Sequence, residues 1–93
     1  MSVSMYPAYL VENKIISHAD DWNEDCTINL AIVNFYSLTE ELNLSRMMVC
    51  PGHIRLRTLE IAMQMHQSPR YHARLVKLCA QAHVLKARYI AFS

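Results

Sequence analysis

The sequence predicts an all-α fold, one domain over residues 1–93 made of about four helices, and three observations carry that prediction. Only one glycine is present, so the tight positive-φ turns that join hairpin strands have few natural positions. Leu, Ala, Met, Glu, Gln, Arg and Lys, which favour helices, are plentiful. Pro7, Pro51 and Pro69 each fall where a helix could begin, since a first helical residue needs no N–H and suits the fixed φ of proline. A hydrophobic content of 53% supplies one core, and 93 residues leave no room for a second.

The first helix is predicted over 7–19, where Ala8, Val11, Ile15 and Ala19 recur at helical spacing and Leu10 and Ile16 widen the stripe. Asp20 or Asp21 ends it, and Asp21 with Glu24 has the spacing of a capping box. A second helix over 22–44 follows, with Ile28, Ile32, Phe35, Leu38 and Leu42 on one stripe, although 27–36 is also rich in strand-favouring residues. The third, over 52–66, carries Ile54, Leu59, Ile61 and Met65. Its first residues, His53, Ile54, Arg55, Leu56 and Arg57, alternate as a strand would, and the helix formers after Leu59 decide for helix. The fourth, over 69–91, opens at Ser68-Pro69 and carries Tyr71, Leu75, Leu78, Ala82, Leu85, Tyr89 and Phe92 at alternating spacings of four and three.

Charge is divided unevenly along the chain. Residues 1–45 hold Glu12, Asp20, Asp21, Glu24, Asp25, Glu40 and Glu41 against Lys14, seven acids and one base, a net of −6. Residues 46–93 hold Arg46, Arg55, Arg57, Arg70, Arg74, Lys77, Lys86 and Arg88 against Glu60, eight bases and one acid, a net of +7. An acidic half docked on a basic half, or one surface turned to a charged partner, would account for this. His72, Arg74, Lys86 and Arg88 flank the seam of the fourth helix, so pairing with its own copy sets like charges together and an acidic companion is favoured.

Several classes are disfavoured. The three cysteines, Cys26, Cys50 and Cys79, are odd in number and widely spaced, and no basic-then-apolar leader opens the chain; reduced thiols in the cytoplasm are expected. Every apolar run is interrupted well short of the roughly 20 residues that cross a bilayer, so no membrane partner is expected. Neither a glycine-rich phosphate loop, a nucleophile elbow nor a His-Glu-x-x-His motif is present, and Glu40 and Glu41 would point about 100° apart on a helix. The expectation is no enzyme and no cofactor. Cys50, His53, Cys79 and His83 offer two sulfurs and two nitrogens to zinc, but Cys-x2-His followed by Cys-x3-His matches no standard zinc spacing, and no metal is expected.

Binding remains. The leading expectation is a small helical adaptor, chaperone-like cofactor or regulator that acts by protein-protein contact, with a protein partner or a second copy covering Met47, Met48, Leu75, Leu78, Leu85 and Tyr89. The alternative is nucleic acid held by the basic half through Arg55, Arg57, Arg70, Arg74, Lys77 and Arg88. Within that half, Ile61, Ala62, Met65, Ser68, Pro69, Arg70, Tyr71, Arg74, Leu75 and Lys77 form a pattern over 61–77 that resembles the helix-turn-helix of AraC-type transcription regulators. The pattern departs from that family at His66, in the place of a turn glycine, at Gln67 and at His72. The resemblance implies a DNA-binding unit near residues 54–77 whose helix from Pro69 enters the major groove, with Arg70, Arg74 and Lys77 on bases and phosphates.

Overall fold

The structure, a computed structural model, describes residues 1–17 and 27–93. It is a mixed α/β domain, and the all-α bundle is overturned: three helices lie on one face of a five-stranded antiparallel sheet. The strands are β1 (Ser2–Val11), β2 (Lys14–Ser17), β3 (Ile28–Ala31), β4 (Gly52–Arg55) and β5 (Tyr89–Phe92). The helices are α1 (Ile32–Glu41), α2 (Leu56–Met65) and α3 (His72–Val84). Expected capping by Asp21 and Glu24, and the ends of the first two predicted helices, lie outside the described residues.

The helix expected over 7–19 is a hairpin of β1 and β2. Val3, Met5 and Pro7 alternate inward in β1, while Ser2, Ser4 and Tyr6 occupy the other face, a period of two that a stripe starting at Pro7 overlooks. Glu12 and Asn13, with φ of 50° and 64°, make the two-residue turn, with Val11 paired to Lys14 on either side. Both central residues of a type I′ hairpin need positive φ. Pro7 has a specific place here. Ser4 exchanges both backbone bonds with Ser93 beside β5, so odd-numbered residues of β1 aim their N–H at the opposite edge. On that edge β3 pairs Ser2 to Met5 and β2 pairs Ala8 to Val11. Residue 7 falls between them, where a missing N–H costs no ladder bond.

Strand and helix share the second predicted segment. Ile28 and Leu30 of β3 face inward, and α1 starts at Ile32 with no side-chain cap; Ile32 instead donates its N–H to the Met1 carbonyl at 3.2 Å. The third divides likewise, because the alternation over 53–57 is realised as β4 up to Arg55 and helix period takes over at Leu56. The fourth does not reach 91. After Val84 the chain turns with Lys86 at φ 59°, Lys86 N–H bonds His83 O, Ala87 N–H bonds Ala82 O, and 89–92 becomes a central strand between β1 and β4. These are the two bonds of a Schellman stop, here built on a non-glycine. The same pair closes α1, with Asn43 at φ 57°, Asn43 N–H to Glu40 O and Leu44 N–H to Thr39 O.

One continuous core lies between sheet and helices. Val3, Met5, Ile28, Leu30, Ile54, Ile90 and Phe92 from the strands meet Phe35, Leu38, Leu59, Leu75, Leu78 and Ala82 from the helices. The rings of Phe35 and Phe92 meet at 5.6 Å between centroids, joining α1 to β5. Among the described residues no helix covers the opposite face of the sheet. Cross-strand register places Tyr6, Ala91 and His53 in one row of that face and Ala8, Tyr89 and Arg55 in the next.

Candidate basic cleft

The site grows from the junction of β4, α2 and β5. Arg55 is the last residue of β4 and stands opposite Tyr89, the first residue of β5. Arg57 follows one residue into α2. Lys86 and Arg88 come from the short connection that the α3 stop turns back toward β5. One backbone bond fastens the two sides, Leu56 N–H to Arg88 O at 2.8 Å. Between them opens a cleft of about 720 Å³ lined by Arg55, Arg57, Lys86, Arg88, Tyr89 and the pair Glu60–His83.

Its charge is one-sided. All four cations are exposed, and among the described residues none of them has a carboxylate oxygen within ion-pair distance. The one carboxylate in the wall, Glu60, is held by His83 Nε2 at 3.1 Å from both of its oxygens. No side chain caps α2 and no acidic residue stands in its first turn, so the positive end of that helix adds to the field. Because Arg is less strongly hydrated than Lys and presents a planar donor fork, three guanidiniums here suit phosphate oxygens.

A second, smaller cleft of about 430 Å³ adjoins the first and shares Arg55 and Tyr89 with it; Met47, His53, Ile54 and Thr58 complete its wall. The rings of His53 and Tyr89 meet edge to face, 5.5 Å between centroids at 79°. Met47 is 53% exposed at this rim.

The expected site residues are thus redistributed. Of the six nucleic-acid candidates, Arg55, Arg57 and Arg88 come together at the cleft, whereas Arg70 and Arg74 lie over the buried Tyr71 ring at 5.1 and 5.9 Å and Lys77 stands on α3. The segment that resembles a helix-turn-helix folds as α2, a connection over 66–71 and α3. That connection is longer than the three- to four-residue turn of such units, and the inward side of α3 packs on a sheet. Of the apolar candidates, Met48, Leu75 and Leu78 are core residues with their surface already covered, Leu85 is half-buried, and Met47 and Tyr89 line the second cleft. No group of three or more candidate metal ligands gathers among the described residues: Cys50 and His53 belong to the entry of β4, Cys79 and His83 to α3.

Two participants escaped sequence reasoning. Lys86 falls on the flank of the predicted fourth helix, and its actual place, a stop at an αL lysine, is not written in residue type. His53 carries no binding signal of its own in the sequence beyond its alternation with Arg55, which places the two on one side of β4. The described acidic residues do not neutralise the basic half: Glu41 accepts a hydrogen bond from Ser68 Oγ at 2.6 Å, and among the described residues the one acid-base contact within salt-bridge distance is the hydrogen-bonded pair Glu60–His83. No helix is long and apolar enough to cross a membrane. No protein-family model, curated protein or solved structure matches the chain.

Proposed function

We propose that this chain is a non-enzymatic binding domain whose partner is nucleic acid, held through its phosphates in the cleft of Arg55, Arg57, Lys86 and Arg88. The observation that supports this reading is the convergence of four cations, without carboxylate partners among the described residues, on one concave site beside a helix N-terminus that no side chain caps. An unpaired surface cation is ordinary; four around one cleft create a potential that attracts a polyanion and gains from releasing its counterions. The apolar seam that favoured a protein partner is largely consumed by the chain's own core, which weighs against the adaptor reading.

The test is an anisotropy titration with a labelled oligonucleotide that carries both a duplex stem and an unpaired tail, so that either form can bind. Four phosphate contacts predict that affinity falls with salt at a log-log slope of about −3 to −4. Arg57→Ala with Arg88→Ala reduces that slope by about two, whereas Arg74→Ala with Lys77→Ala leaves it nearly unchanged. Absence of binding at low salt ends the reading.

A further inference from the structure

We infer that the preferred partner is an unpaired strand, whose phosphates occupy the basic cleft while a base enters the adjoining cleft and stacks on Tyr89. This rests on the nucleic-acid reading and goes beyond it, because charge alone does not distinguish duplex from single strand.

Geometry supplies the distinction. Arg55 and Tyr89 belong to both clefts, so a chain of alternating phosphates and bases can place a charged group on one side of this pair and a flat ring on the other. The second cleft offers what an unstacked base needs: the ring of Tyr89, the imidazole of His53 nearly perpendicular to it, the Met47 side chain, and Thr58 as a residue with a hydrogen-bonding hydroxyl. In a duplex the bases are stacked on each other and their faces are hidden, so a protein ring gains nothing from them. Among the described residues no helix covers the sheet face that carries Tyr6, His53 and Tyr89, and because Ala8 and Ala91 within it are 0% and 2% exposed, a strand would meet side chains there rather than backbone.

The experiment compares three labelled probes of about 12 nucleotides, oligo-uridine, oligo-deoxythymidine and a blunt duplex, over one common series of salt concentrations. The expected result is at least tenfold tighter binding of an unpaired probe than of the duplex. Tyr89→Leu lowers single-strand affinity about tenfold without changing the salt slope, since it removes a stacking surface and no charge. His53→Ala, at an exposed position, is the second variant if Tyr89→Leu disturbs the strand, and is expected to weaken single-strand binding about threefold. Equal or tighter duplex binding, or single-strand affinity unchanged in both variants, overturns the inference. In either case a salt slope that still depends on Arg57 and Arg88 leaves the proposed function standing, whereas loss of binding to every probe removes both.

Discussion

Ser68 donates its hydroxyl to Glu41 Oε2 at 2.6 Å, across 27 residues of sequence, and so ties the end of α1 to the connection between α2 and α3. Ser68 is 1% exposed, whereas Glu41 keeps one side in water. The same serine starts a helical turn through its backbone, since Tyr71 N–H and His72 N–H both bond its carbonyl. Replacing Ser68 with Ala removes only the hydroxyl, so the turn persists and the tie is lost. We expect destabilisation of about 1 kcal/mol, the range of a hydrogen bond to a charged acceptor that is partly hydrated. Urea unfolding of Ser68→Ala, Glu41→Ala and the double variant measures it; full additivity of the two single effects would show that no tie exists.

Gly52 is required for space rather than for backbone freedom. A methyl group there would press against the Val49 carbonyl oxygen, which is backbone and cannot swing aside, and would sit 3.3 Å from the Phe92 ring. Gly52→Ala therefore forces β4 away from its partner at the Gly52–Phe92 pair, with a cost of about 1–3 kcal/mol. Thermal or urea unfolding gives the figure, and an unchanged midpoint would refute the crowding.

Lys86 holds two opposed effects at one position. Its φ of 59° is costly for a residue with a Cβ, so Lys86→Gly should stabilise the fold by about 1 kcal/mol. The same change removes one of the four cations, so affinity for nucleic acid should fall and the salt slope shrink by about one. Unfolding and binding measured on one preparation separate these signs. A destabilised variant would contradict the αL stop.

That lysine also explains how far the sequence could be read. The inward stripes were legible in part: Phe35, Leu38, Leu59, Leu75, Leu78 and Ala82 are buried, whereas Ile61 and Met65, expected beside Leu59 on the third stripe, are 45% and 72% exposed. Element boundaries were not, because a seam of fours and threes continues through Leu85 to Tyr89 and Phe92 although the chain reverses at Lys86. Asn43 is the residue type that such stops favour, and it marks the true end of α1 near the expected one. The hairpin turn at Glu12-Asn13 lacks the glycine that would announce it, so scarcity of glycine was mistaken for scarcity of turns. Arg55, Arg57 and Arg88 were identifiable as basic, but only the pairing of β4 with β5 brings the first two beside the third.

The hairpin yields its own prediction. Asn13 is acceptable in αL, whereas glycine meets the positive φ without cost, and at Glu12 a long charged side chain occupies a position that favours Asn, Asp or Gly. Glu12→Asn combined with Asn13→Gly should raise stability by about 0.5–1 kcal/mol through better turn chemistry. Both positions are exposed, so no packing term competes. A decrease in the unfolding midpoint would argue against the hairpin itself, since a helix over 7–19 would be weakened by glycine at its centre.

Cys79 supplies a pH dependence that can be checked by difference. Burial, with a smaller contribution from the negative charge of Glu60, pushes its thiol up from 9.0 to about 12, and its hydrogen bond goes to Met63 Sδ at 3.8 Å rather than to water. The unfolded thiol ionises above pH 9, while the folded one stays protonated until the pH approaches 12. Stability linked to the neutral thiol is therefore fully present below 9 and is lost as pH rises through that window, with a limiting slope of about 1.4 kcal/mol per pH unit. Other groups titrate there too, so the informative quantity is the gap between the wild type and Cys79→Ala. At about pH 8 the wild type should be the more stable by about 1 kcal/mol, because alanine leaves a small void on the inward side of α3. By about pH 10.5 that advantage should shrink or reverse. A gap that stays constant across the two conditions would mean that the thiol ionises as readily in the fold as in the open chain.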